Sequence, residues 1–599
     1  MAKEVLERKD IAEEFKWDLE SFFKDLDAWE EEFKKAGKMA EDFQQHMGQF
    51  TKSSKGLLTA LKDMERLLRS IANVYTYSSL KLDEDTRIGE HQSLNARAMN
   101  LYVEISSKIA FFEPELLTLD EETLKKYMEE EPELKVYEHY FENILRSKDH
   151  VLSAREEAIL AQAGEVGAAP EKIFSMLNNA DIKFPTIKDE EGNEVELTKG
   201  NFIPFMESKD REVRKRAFKE FYKVYYSLKN TFAATLDGEL KNNIFNARIR
   251  NYKNTREASL DRNNIPLRVY DNLIKVVHEK LDTFYKYMDI RKRALGVDEL
   301  HMYDIYTPIV KDVEFKIPYE EAVELVKKGL EPLGEEYLRV VEEGFTSRWI
   351  DVYENKGKRA GAYSGGTYDS KPYILLNYHE TLDNVFTIAH EMGHSIHSYF
   401  TRKHQPYVYG NYSIFVAEVA STLNEALLLD YMLRTVKDKN EKLYLINHYL
   451  ESFRATVFRQ TMFAEFEQTI NEHLEAGGAL TADYLCETYR ELNKKYYGPN
   501  VVIDEEIAIE WARIPHFYYN FYVFQYATGF SAAVALSKKI LEEGQPAVDK
   551  YLEFLKSGSS DYPINVLKKA GVDMATEEPV RNAMKIFEEL VDEMDKLIQ

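Results

Sequence analysis

The stretch Thr387-Ile-Ala-His-Glu-Met-Gly-His-Ser-Ile-His-Ser-Tyr-Phe400 constrains this chain more than any other. It contains His390-Glu391-x-x-His394. Residues four apart share a face only where the backbone is helical, so the segment is predicted to be a helix, over about 381–402, with Thr381 as its N-cap. Both imidazoles can then hold one zinc ion, with Glu391 facing water on that ion. The pattern has an internal control. Two other His-Glu pairs occur, His278-Glu279 and His379-Glu380, and each carries an aspartate, Asp282 or Asp383, where a second histidine would be needed.

A zinc hydrolase needs a third protein ligand and an open fourth position. One route continues the motif with glycine and then histidine at three-residue steps; His397 and Phe400 stand there instead. The other route takes a glutamate from the following helix, and Glu418, inside the apolar run Ile414 to Val419, fits it, the alternative being an exposed helix residue. Glu425, seven residues on, shares that face and is expected either to accept a hydrogen bond from a ligand histidine or to form an ordinary salt bridge. His397 as a fourth ligand would close the water position, so a packing or supporting role is expected.

The rest of the chain supplies a helical frame. Of 599 residues, 44% are hydrophobic and 31% charged, enough for a large core under a polar surface. Helical periodicity is predicted across about 11–47, where Trp17, Leu19, Phe22, Phe23, Leu26 and Trp29 recur. It continues over 55–110, 121–145, 153–180, 208–250, 267–296 and 318–344, and in most of the chain after 412, including 517–543. Residues 181–197 read as a hairpin, and 301–308 as extended. Strand signals cluster at 349–378, with Tyr373 to Asn377 a short apolar strand beside the predicted metal helix. The hairpin sets the expected division: a helical region 1–200 and a catalytic region 201–599.

The net charge of −25 argues against nucleic acid or an anionic membrane as partner. One cysteine, Cys486, excludes an intramolecular disulfide, and the opening residues show no apolar leader; both lead to the expectation of a cytoplasmic protein. The segment 516–530 is dense in aromatic residues. Tyr519, Tyr522 and Tyr526 would share one helical side, with His516 at the helix entrance, where Tyr O–H or His N–H could stabilise an oxyanion; in a chain with 39 tyrosines, core packing is the competing reading.

Several motifs in fixed order then resemble one family. They are Phe15-Lys-Trp-Asp-Leu19, Tyr303-Asp-Ile-Tyr-Thr-Pro308, Gly357-Lys-Arg-Ala-Gly-Ala-Tyr-Ser364, Pro372 to Asn377, His390 to His397, Ala417-Glu-Val-Ala-Ser421, His516-Phe-Tyr-Tyr, and Tyr526-Ala-Thr-Gly529. Together they resemble oligoendopeptidase F, among the thimet oligopeptidase-like zinc peptidases. The resemblance implies a mostly α fold, a large helical clamshell with a deep central channel and a small β-sheet beside the zinc-binding helix. It implies cleavage of short, unfolded peptides by one zinc ion per chain, with His390, His394 and Glu418 as ligands and Glu391 as base. It places His516, Tyr519 and Tyr526 at substrate or oxyanion, with Tyr522 beside them. The edge Gly361, Ala362 and Tyr363 is placed alongside extended substrate backbone.

Overall fold

The computed structural model describes residues 5–310 and 316–598. Helix makes up 72% of it, and the sheets among the described residues have only two or three strands. The mostly α expectation therefore holds. No helix among the described residues is long and apolar enough to cross a membrane. The first four residues of the opening segment, read above as free of an apolar leader, lie outside the described residues.

Two compact units form, each from three segments: Met1–Asp149, Phe315–Tyr431 and Leu536–Gly571 in one, His150–Glu314, Met432–Ala535 and Val572–Gln599 in the other. This division does not coincide with the boundary expected at 200/201.

In the first unit the helices Leu26–Phe43 and Ser54–Glu84 start on side-chain caps. Asp25 accepts from the Ala28 N–H at 2.9 Å and Ser53 from the Gly56 N–H at 3.1 Å. Their apolar faces and that of Gly89–Ile109 bury Trp17, Trp29, Leu57, Leu67 and Ile105 in one cluster, which also takes in Tyr373 and Leu375. Residues 11–25 are not the helix their spacing suggested. Their backbone pairs elsewhere: Val352 N–H donates to Phe15 O at 2.9 Å and Asp18 N–H to Arg348 O at 3.1 Å. The predicted run 55–110 breaks at Asp85, whose carboxylate accepts from the Arg87 N–H at 3.0 Å.

The expected sheet forms with strand Tyr373–Leu375 at its centre, parallel to Ile350–Asp351 and antiparallel to Tyr363–Gly365. The central strand is wholly buried. A sharp turn through Glu380, at φ 61°, leads into the helix Leu382–His404. Thr381 caps it as predicted, accepting from the Asn384 N–H at 3.2 Å.

The second unit contains the expected hairpin, Thr186–Lys188 against Glu194–Glu196, and long helices including Arg211–Ser227, Lys229–Ile249, Leu267–Glu279 and Arg459–Glu475. Two of its buried carboxylates carry their own counter-charges, which offset the cost of a charge in a low-dielectric interior. Glu510 meets Arg459 at 2.9 Å and Arg513 at 3.0 Å, and Asp304 meets Arg211 at 2.9 Å and Arg214 at 2.8 Å. Of the predicted extended segment 301–308 only His301 is strand, at the end of Leu300–His301, which runs parallel to Val501–Val502; Met302–Asp304 is a helical turn.

Candidate active site

His390 and His394 project from Leu382–His404 toward the next helix, Ile414–Thr435, which carries Glu418. One oxygen of Glu418, Oε2, lies 3.4 Å from His390 Nε2 and 3.5 Å from His394 Nε2. The three donor atoms lie within 4.8 Å of one another, a cluster that could hold a metal ion. Two imidazole nitrogens and one carboxylate oxygen suit zinc and leave a further coordination position open.

The helices reach this separation because residue 393 is glycine. A Cβ there would stand 2.6 Å from Ser421 Cα and 2.7 Å from the Ala420 carbonyl oxygen. Backbone atoms cannot rotate away, so any side chain at 393 would push the Glu418 helix off. One turn away, buried Asn424 donates to the Ala389 carbonyl at 3.1 Å and accepts from the Tyr337 hydroxyl at 2.8 Å, fixing the register of the two helices. Ser421 Oγ sits 3.0 Å from the Glu418 carbonyl and 3.3 Å from its Oε2.

Glu425 is 2.5 Å from His390 Nδ1. A proton on Nδ1 directed at Glu425 leaves Nε2 free to act as a ligand. The charges here interact strongly. Burial alone would lower the His390 pKa, but hydrogen bonds to Glu418 and Glu425 raise it to about 10. Glu418 is held far below the usual carboxylate range, the hydrogen bonds from His390 and His394 overcoming its burial. Glu391 is 7% exposed, and burial raises its pKa. Its carboxylate makes no hydrogen bond or ion pair with any described residue, so its oxygens are available for proton transfer.

His397 is not one of the three clustered donors. It is buried, stacked on Tyr412 at 3.7 Å between ring centres and 2° between planes, and 5.1 Å from the Phe554 ring. Burial lowers its pKa to about 3. Packing is its observed role.

Gly361, Ala362 and Tyr363 lead into the outer strand of the three-stranded sheet, with Gly361 at φ 87°. Gly361 and Ala362 are exposed. Ser364 Oγ lies 2.7 Å from Ser395 Oγ, tying this edge to the histidine helix, and the Tyr363 hydroxyl donates to Asp83 at 2.7 Å. A cavity of about 320 Å³ lined by Gly361, Ala362, Asn377 and Thr387 opens beside it.

The aromatic group lies in the second unit. Its residues do converge: His516 Nε2 is 3.2 Å from the Tyr526 hydroxyl, and its ring centre is 5.7 Å from that of Tyr519 and 6.1 Å from that of Tyr522. They do not share one helix, however. Helix begins only at Phe524, because Asn520 and Phe521 take positive φ, 45° and 57°, and reverse the chain. Tyr519 and Tyr522 are therefore carried by a loop. Burial lowers the His516 pKa, favouring the neutral ring.

Sequence reasoning passed over Gly393, Asn424 and Ser395. Asn424 left a signal, a lone amide between Leu423 and the apolar run Ala426 to Leu429. Gly393 left none, since its role depends on which helix crosses it.

A helix bearing His-Glu-x-x-His, met by a glutamate of the following helix, is the arrangement of a metallopeptidase. Residues 204–586 match the model for peptidase family M3, and residues 115–184 match the one described as oligopeptidase F. Oligopeptidase PepF of Bacillus subtilis (strain 168) is 52% identical over 597 residues, 100% of this chain and 89% of that protein. Group B oligopeptidase PepB of Streptococcus agalactiae serotype III (strain NEM316) is 45% identical, over 99% of this chain and 98% of its own length. The crystal structure of oligoendopeptidase-F from Enterococcus faecium superposes with a TM-score of 0.75 at 43% identity, covering 95% of this chain and 98% of that one. The chain belongs to peptidase family M3, in its oligoendopeptidase F branch, and is a metalloendopeptidase.

Proposed function

We propose that this chain is a zinc-dependent oligoendopeptidase that hydrolyses internal bonds of short, unfolded peptides in the cytoplasm. The observation that carries the reading is the convergence of His390, His394 and Glu418 on one point, with the carboxylate of Glu391 near both histidines and without a hydrogen-bond partner among the described residues. Zinc held there would supply Lewis acidity, acidifying water and polarising a peptide carbonyl. Glu425 keeps His390 in the tautomer that offers Nε2. Glu391 takes a proton from the attacking water and passes it to the leaving amine. The exposed backbone at Gly361 to Tyr363 pairs with an extended substrate segment, which a folded protein does not present. His516, Tyr519, Tyr522 and Tyr526 supply contacts and donors to the substrate and its oxyanion. The single cysteine, buried Cys486, suits a reducing compartment.

The test is digestion of a graded-length set of peptides blocked at both ends, with and without a chelator. Cleavage that stops on chelation, returns with zinc and fades with length is expected. Full activity in the metal-free protein would overturn the reading. Glu391→Gln is expected to keep its zinc and lose roughly 10²–10⁴-fold in kcat. Full zinc occupancy in His390→Ala or Glu418→Ala, by elemental analysis, would contradict the ligand set.

A further inference from the structure

Two consecutive residues with side chains, Asn520 and Phe521, hold positive φ. L-residues disfavour that region, and a pair of them persists only where the surroundings impose it. The peptide unit between the two is gripped on both sides. Ser259 Oγ donates to the Asn520 carbonyl at 2.6 Å, and Glu467 Oε1 accepts from the Phe521 N–H at 2.5 Å. The reversal sends Phe521 inward, 2% exposed and 5.8 Å from the Tyr270 ring, while Tyr519 stays 48% exposed.

Glu467 is an expensive residue for this task. It is fully buried, has no cation within ion-pairing distance among the described residues, and leaves Oε2 without a partner there. Burial pushes its carboxyl up to about 8. A buried carboxyl with no counter-charge does not promote folding. What it does do is hold one backbone N–H at the point where the tyrosine loop turns.

We propose that Glu467 and Ser259 are positioning residues for catalysis: by gripping the 520–521 peptide they set Tyr519 and Tyr522 around His516 for work on the substrate. This rests on the reading that the aromatic group acts on the peptide.

The variants Glu467→Leu, Glu467→Gln and Ser259→Ala, all zinc-loaded, separate the two ideas. Hydrogen exchange over residues 519–523 reports the grip; kcat and KM on an internally quenched peptide blocked at both ends report its use. Glu467→Leu and Ser259→Ala are expected to speed exchange and lower kcat, each about ten-fold, with KM changed less. Glu467→Gln keeps an oxygen acceptor and is expected to restore both to within about two-fold of the parent. Should Glu467→Leu not fold, Ser259→Ala carries the same test. Unchanged exchange over 519–523 in the folded variants would overturn the positioning role. Faster exchange with parental kcat and KM would overturn the reading that the loop acts on substrate.

Discussion

At Gly393 one hydrogen in place of a methyl group decides how near Glu418 comes to the two histidines. The Cβ of Gly393→Ala would meet Ser421 Cα at 2.6 Å, a backbone atom that can give way only if the whole helix moves. Such overpacking typically costs about 1–3 kcal/mol. A lower melting temperature is expected, together with zinc affinity weakened roughly ten-fold or more, read by competition with a chromogenic chelator; parental affinity would show that the crossing tolerates the methyl. Glu425→Ala removes the partner of His390 Nδ1 and is expected to weaken zinc binding about 10–100-fold while leaving the fold intact. The histidine pair and the two glutamates were legible in the sequence because each pair's geometry follows from spacing on a single helix. Gly393 and Glu467 were not, because what makes them matter is a different segment arriving from far along the chain.

Among the elements, the loop before Phe524 shows why helical periodicity over-reached. Tyr519, Tyr522 and Tyr526 have helical spacing, and the competing interactions that unwind the first two come from Ser259 and Glu467, outside the segment. The same rule explains residues 11–25, whose backbone is claimed by 348–352. Glu467 also gives the fold a pH dependence. Its carboxyl titrates near 8 when folded and near the ordinary 4.5 when unfolded. Between those values the folded state holds a proton that the unfolded chain releases. The proton-linked contribution is therefore fully present below about 4.5 and is lost as pH rises through 8, so the burial of Glu467 costs the fold more at high pH. Glu467→Gln has no such proton. Relative to the parent, its denaturation midpoint is expected to improve steadily from pH 5 to pH 8; a constant difference would show that the carboxyl does not titrate in that range.

For the whole molecule, the mostly α class was legible from the repeated helical pattern, whereas the grouping of segments was not. Each unit is assembled from three stretches of chain, and pattern along a chain says nothing about which stretches will meet. The expected catalytic region 201–599 would lack Trp17, Trp29, Leu57 and Leu67, which pack in the same cluster as Tyr373 and Leu375 of the central strand. Expressed alone, that fragment is expected to show no cooperative melting and no stoichiometric zinc binding, by calorimetry and elemental analysis. In the full chain, zinc at about a hundred times its Kd should add about 2.7 kcal/mol of stability, lost on chelation and absent in His390→Ala.

The bond from the Tyr363 hydroxyl to Asp83 gives the helix Ser54–Glu84 a hold on the sheet's outer strand. With that edge pairing with substrate as proposed, drift of sequence in this amino-terminal helix would retune which peptides are accepted and leave the metal chemistry untouched, so the diet of such an enzyme and its reaction would evolve on separate parts of the gene.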